Sequence, residues 1–134
     1  MIALDTNILI YACDKSDTRR QQIALELISA AADGVLLWQV ACEFVAASRK
    51  LSSQGFTAQD AWARLTEFLD VLRLVPPAGG VLLVAKSLHV THNVSFWDAM
   101  ILAACLDCGV EVLYSEDVPG LDAVGSLRVI NPFT

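Results

Sequence analysis

A three-layer α/β/α domain on a parallel sheet of about five strands is the fold class this sequence predicts. Three observations lead there. Short apolar runs alternate with helical patterns along the whole chain, the signature of a parallel sheet covered on both faces. The segment from Ala99 to Leu106 is apolar on every side, as a helix in the middle of such a sandwich must be. Four carboxylates, Asp5, Glu43, Asp98 and Asp117, fall at or just past the expected strand ends. In a parallel sheet those ends share one edge, and ligands bind there.

The 134 residues suffice for one domain with a real core, and no linker, repeat or low-complexity tract divides residues 1–134. Strands are read at Met1–Leu4, Val35–Trp38, Val71–Val75, Glu111–Tyr114 and Leu127–Ile130. Between the first two, Ile23, Ala24, Leu27, Ile28 and Ala31 form a helical stripe, with Ser16 or Asp17 as its start signal and Gly34 as its stop. Ala41, Phe44, Val45, Ser48 and Leu51 carry the helical pattern on from the second strand. Thr57 with Asp60 reads as a capping box ahead of Trp62, Leu65, Leu69 and Leu72. Pro76-Pro77 closes the third strand, and Val81, Val84, Ala85 and Leu88 open the next helix. Two helices in each of the first three connections suit right-handed crossovers. Trp38, Trp62 and Trp97 lie on stripes or strand ends and read as core residues.

Apolar residues make up 55% of the chain and charged residues 18%. No uncharged run approaches the roughly 18 apolar residues that span a bilayer. The longest, Leu74 to Ala85, is broken by Pro76, Pro77, Gly79 and Gly80. Asp5 interrupts the N-terminus before the apolar stretch of a signal peptide could form. The expectation is a cytoplasmic protein with no membrane partner, whose surplus apolar surface serves a dimer or partner interface. The net charge of −6 weighs against a nucleic-acid partner, but eight of the nine basic residues precede Ser87. Two divalent cations among the four acids would offset most of that excess. Lys15, Arg19, Arg20, Arg49 and Lys50 would then form a basic rim. The four cysteines, Cys13, Cys42, Cys105 and Cys108, read as small core residues in a reducing compartment, since Cys105 and Cys108 share one helix and no second C-x-x-C exists.

Mutually repelling acids in one pocket must hold cations or stay partly protonated. Hard Mg²⁺ or Mn²⁺ takes oxygen ligands and keeps several waters, so a few carboxylates suffice. Each acid also has a purely structural reading. Ser95 and Asp98 could form a capping box. Asp117 could open a turn before Pro119-Gly120. Glu43 could complement a helix dipole. Asp5 is hardest to read that way, because an acid directly after a buried strand is costly unless paired or ligated.

Four ordered motifs sharpen this. The opening Asp5-Thr6-Asn7-Ile8-Leu9-Ile10-Tyr11-Ala12, the segment Gln39 to Phe44 around Glu43, the segment Ser95 to Ile101 around Asp98, and Tyr114-Ser115-Glu116-Asp117 stand in sequence. Together they resemble a PIN domain, in particular the VapC-like toxins of bacterial toxin–antitoxin pairs. The resemblance implies a five-stranded parallel sheet in order 3-2-1-4-5 and an endoribonuclease dependent on Mg²⁺ or Mn²⁺, acting on structured RNA such as tRNA or rRNA. It makes Asp5, Glu43, Asp98 and Asp117 the metal-holding, catalytic acids. Thr6, Asn7 and Ser115 would orient them. It also implies a homodimer and an antitoxin protein that holds the toxin inactive. Arg19, Arg20, Arg49 and Lys50 are the candidate RNA contacts. One stretch departs from the pattern: after Asp117 the chain runs Val118-Pro119-Gly120-Leu121-Asp122, which opens the fourth acidic place to Glu116 or Asp122 as well.

Other chemistries fit less well. An aspartyl phosphatase needs a second Asp where Asn7 stands, and a receiver domain needs a late Lys, whereas none follows Lys86. An RNase H-like nuclease pairs its early strands as hairpins, against the helical segment Ser16–Ala32. His89 and His92 lack a third ligand and read as positions near a helix C-terminus. The non-enzymatic alternative is a catalytically silent PIN-like module that binds RNA or protein.

Overall fold

Five short strands carry the domain: β1 Ile2–Leu4, β2 Gly34–Leu37, β3 Arg73–Val75, β4 Val112–Tyr114 and β5 Arg128–Ile130. They form one all-parallel sheet in the order β3-β2-β1-β4-β5. The six helices are α1 Thr6–Cys13, α2 Thr18–Ala30, α3 Trp38–Ala47, α4 Ala58–Val71, α5 Gly79–Thr91 and α6 Phe96–Cys108, with a 3₁₀ segment at Ser48–Gln54. The structure is a computed structural model and describes residues 1–118 and 125–134. The expected fold class and strand order are both present.

Strands this short gain little from their ladders, so the sheet is held by the apolar layers pressed on it. All of β2 is buried, and Ala3, Leu4, Leu36, Leu37 and Leu113 are closed to solvent. Helix α6 buries Ala99, Ile101, Leu102, Ala103 and Cys105, covering most of its circumference, and stops at Gly109 in the left-handed region (φ 79°). Helix α4 starts at the expected capping box: Thr57 Oγ1 accepts from the Asp60 N–H and an Asp60 carboxylate oxygen accepts from the Thr57 N–H. Asp17, not Ser16, caps α2 by accepting from the Arg20 N–H.

Several local expectations are corrected. Gly34 opens β2 rather than stopping α2; a Cβ there would lie 2.6 Å from Leu72 Cδ2 and 2.9 Å from Ala31 Cβ, so the position is a close approach of layers. Trp38 begins α3 rather than ending β2. All three tryptophans are outside the core: Trp38 is 49%, Trp62 60% and Trp97 62% exposed. Trp38 and Trp97 stand in the first turns of α3 and α6, at the sheet edge that no layer covers. Trp62 sits beside the true buried stripe of α4, Ala61, Leu65 and Phe68. Of the cysteines, Cys13 and Cys105 are core residues, while Cys42 is exposed and Cys108 half-buried. Ser95 precedes α6 without a side-chain capping bond, so Ser95 and Asp98 form no capping box. The Pro119-Gly120 turn lies outside the described residues. No described helix is long and apolar enough to cross a membrane.

Candidate functional site

From β1 the chain crosses to β2 on one side of the sheet, while β4 pairs with β1 on the other. The crevice beyond the carboxyl ends of β1 and β4 is therefore the topological switch point, where an open parallel sheet offers room for a ligand. Asp5 leaves β1 there, its N–H donating to the Tyr114 carbonyl at 2.9 Å. Its side chain caps α1: Oδ1 accepts from the Thr6 N–H at 2.7 Å. Across the crevice Oδ2 accepts from Ser115 Oγ, also at 2.7 Å. Ser115 Oγ in turn accepts from the Asp117 and Val118 N–H groups at 3.2 and 3.0 Å. One hydroxyl thus ties the β1 acid to the turn after β4.

The other acids arrive on helices and on that turn. Glu43, on α3, accepts from Thr6 Oγ1 at 2.7 Å and from Gln39 Nε2 at 2.8 Å. Asp98 lies in the first turn of α6, half-buried, with no side-chain hydrogen bond among the described residues. Asp117 Oδ2 accepts from Asn7 Nδ2 at 3.0 Å. Asp5, Glu43, Asp98 and Asp117 all line one cavity of about 960 Å³, together with Thr6, Asn7 and Lys50. The fold therefore brings four acids to one place from positions 112 residues apart in the chain, 5 to 117.

Burial pushes the Asp5 carboxyl above the ordinary carboxylate range; the bonds from Ser115 and Thr6 oppose this, and the nearby charges of Glu43 and Asp98 add to it. Among the described residues, none of the four acids forms an ion pair with Lys or Arg. The donor set is hard oxygen carrying unbalanced negative charge, which suits Mg²⁺ or Mn²⁺. Among the described residues no three His, Cys, Asp or Glu side chains stand close enough to grip one ion. Neutral donors hold Asp5, Glu43 and Asp117 instead.

Of the expected RNA contacts, only Lys50 lines this cavity. Arg19 Nη2 donates to the Phe133 carbonyl at 2.7 Å, and Arg49 Nη2 to the Phe56 carbonyl at 2.9 Å. Arg20 pairs with Asp17 and Glu116. Glu116 thus turns to Arg20 while Asp117 faces the cavity, and Asp122 lies outside the described residues. His89 stands in the last turn of α5 with Nδ1 2.7 Å from the Val94 carbonyl oxygen. Gln39 was not expected as a site residue; its position four residues before Glu43 on one helix face is the signal that marks it.

The chain matches the PIN domain family over residues 2–123. No curated protein sequence matches it. Among solved structures, it is similar to a toxin–antitoxin complex from Klebsiella pneumoniae, with 17% identity, TM-score 0.69 and 98% of each chain covered. VapBC2 from Rickettsia felis, bound to a DNA fragment from its promoter, is similar at 18% identity and TM-score 0.70, again over 98% of each chain. VapC20 from Mycobacterium tuberculosis, described as a toxin cleaving the sarcin–ricin loop, is similar at 21% identity and TM-score 0.70, with 96% of this chain and 99% of that chain covered. At these identities the likeness is one of fold.

Proposed function

Because the chain belongs to the PIN domain family, we propose that it is a divalent-metal-dependent endoribonuclease acting as the toxin of a toxin–antitoxin pair. The single observation that carries this reading is the convergence of Asp5, Glu43, Asp98 and Asp117 on one cavity with no basic partner for any of them among the described residues. Those four acids would hold Mg²⁺ or Mn²⁺. A bound divalent cation would make a water acidic enough to attack at neutral pH and would offset charge on the phosphodiester.

The chain's own residues set the geometry for this. Thr6 N–H and Ser115 Oγ fix both oxygens of Asp5. Thr6 Oγ1 and Gln39 aim Glu43, and Asn7 aims Asp117. Asp98, whose carboxylate carries no hydrogen bond among the described residues, is free to complete the cation's ligands, and one of the four carboxylates would take the proton of the attacking water. Hydrolysis then leaves a 5′-phosphate and a 3′-hydroxyl. Lys50 at the cavity wall offers a phosphate contact.

The substrate class is structured cellular RNA such as tRNA or rRNA, in line with the similar fold of a toxin described as cleaving the sarcin–ricin loop. A cognate antitoxin is the expected partner, since similar chains occur in toxin–antitoxin complexes. Leu82, Leu83, Val90 and Phe96 give α5 and the start of α6 an exposed apolar face that suits a homodimer. The cytoplasm is where such a toxin would meet its RNA.

RNA cleavage with and without Mn²⁺ tests the reading. The protein should cut structured RNA only with the cation, and Asp5→Asn should slow it by at least about a hundredfold. An asparagine cannot accept from both Thr6 N–H and Ser115 Oγ, and it removes a charge. Equal cleavage by Asp5→Asn, or cleavage in a chelator, would sink the proposal. Mn²⁺ binding without any cleavage would leave the silent binding module.

A further inference from the structure

The guanidinium of Arg20, one of the expected RNA contacts, is turned into the protein. It lies 5.5 Å from the Tyr11 ring centroid and 5.6 Å from that of Phe133. Those two rings meet edge to face at 5.0 Å. Phe133 is buried, and its carbonyl is gripped by Arg19. Phe133 thus wedges Arg20 against α1. On the other side, Arg20 Nη1 pairs with Asp17 at 3.1 Å and Nη2 stands 3.7 Å from Glu116 Oε1.

Two unpartnered atoms mark the last contact. Arg20 Nε and Glu116 Oε2 are both shielded from solvent, and neither has a hydrogen-bond partner among the described residues. One is a donor, the other an acceptor, on side chains already paired. A small approach would close the planar two-point fork that guanidinium and carboxylate favour, satisfying both atoms.

We propose that Arg20 is a positioning residue: by gripping Glu116 from outside, it sets the turn that presents Asp117 to the acidic cavity. The turn has two handles. Ser115 Oγ holds the Asp117 and Val118 N–H groups from inside, and Arg20 holds Glu116 from the opposite side. Asp117 lies between them, facing Asn7 and the cavity. Phe133 is the wedge that keeps Arg20 seated, so the C-terminal residues are coupled to the site. This inference rests on the cavity being a cation site.

Mn²⁺ calorimetry on the full chain, with amide exchange at Asp117 and Val118 in the metal-free protein, tests it. Arg20→Ala should weaken Mn²⁺ binding about tenfold and speed exchange at both amides. Adding Glu116→Ala to that variant should cost little more, because one contact is lost only once. Arg20→Lys keeps the charge without the planar fork and should restore only part. Glu116→Gln leaves the stack on Tyr11 and Phe133 in place, so it reproduces the weakening even if Arg20→Ala folds poorly. A lower melting temperature with unchanged Mn²⁺ affinity and unchanged exchange would make Arg20 a structural prop only and overturn the proposal. If the unaltered protein bound no Mn²⁺ while Arg20→Ala still freed the two amides, the cation reading would fall and the positioning role would stand.

Discussion

On the strand side of the cavity, Asp5 and Ser115 are 6% and 1% exposed and are bonded to each other and to backbone amides; on the helix side, Glu43 and Asp98 are half-buried on early turns of α3 and α6. The strand wall is fixed by the same ladder that makes the sheet, since Asp5 N–H and the Tyr114 carbonyl extend the β1–β4 pairing. The helix wall is fixed only through side chains: Thr6 and Gln39 for Glu43, and none described for Asp98. Acids from both walls line the same cavity. The strand wall thus takes its geometry from the backbone ladder, and the helix wall takes its geometry from side chains alone. Preorganising one half costs stability at Asp5, where burial and neighbouring charge disfavour the ionised form.

Removing one acid from the helix wall should have the largest consequence for cleavage. Asp98→Asn should cost at least about a hundredfold in RNA cleavage without lowering the melting temperature, because no described hydrogen bond is lost. Ser115→Ala attacks the fixed wall instead. It strips the donor from a buried carboxylate oxygen and the acceptor from two amides, so it should destabilise the fold by about 1–3 kcal/mol, with about a tenfold loss in Mn²⁺ affinity. If the two variants exchanged signatures, with Asp98→Asn melting early and Ser115→Ala only losing activity, the distinction between walls would be wrong.

A pH series sharpens the same contrast. The folded Asp5 carboxyl holds its proton more tightly than the unfolded one, whose value is 3.8. Its contribution to metal-free stability is therefore full below that value and is lost as pH rises through the raised folded value. Asp14, Asp17 and Asp60, whose hydrogen bonds hold their carboxyls low, pull the total the other way, so the decline should appear in the difference between melting curves of the metal-free protein and of Asp5→Asn. Asp98→Asn should shrink it by removing one repelling charge, and Mn²⁺ should abolish it. A difference that grew in favour of the unaltered protein as pH rose over that window would contradict the assigned burial of Asp5.

What the sequence disclosed follows the same division. Strand ends and buried stripes are periodic, so Asp5 after β1, the all-apolar α6 and the capping box at Thr57 were legible from spacing alone. The strand order was legible only through the four motifs, because period-2 and period-3.6 patterns do not say which strands are neighbours. The basic residues could not be sorted from sequence, since a charge pattern cannot show that Lys50 lines the cavity while Arg20 points inward to Tyr11 and to Phe133, 113 positions away. Trp38 and Trp97 misled for a related reason: a large apolar side chain in the first turn of a helix at the sheet's open edge has no layer above it to enter. Gln39 was hidden inside a motif whose acid drew the attention, although its spacing to Glu43 encoded the contact.

A substitution far from both walls should leave the acids undisturbed. Thr57 caps α4 on an exposed helix start, and it does not line the acidic cavity. Thr57→Ala loses the bond from the Asp60 N–H and should cost about 1 kcal/mol of stability, read by denaturant titration. RNA cleavage and Mn²⁺ affinity at 25 °C should stay unchanged, because a folded population reduced by that amount still leaves nearly every molecule native. Were Mn²⁺ affinity to fall in step with this distant cap, any loosening of the domain would register at the acids. The losses assigned to Ser115 and Arg20 would then report general stability and not the construction of one wall.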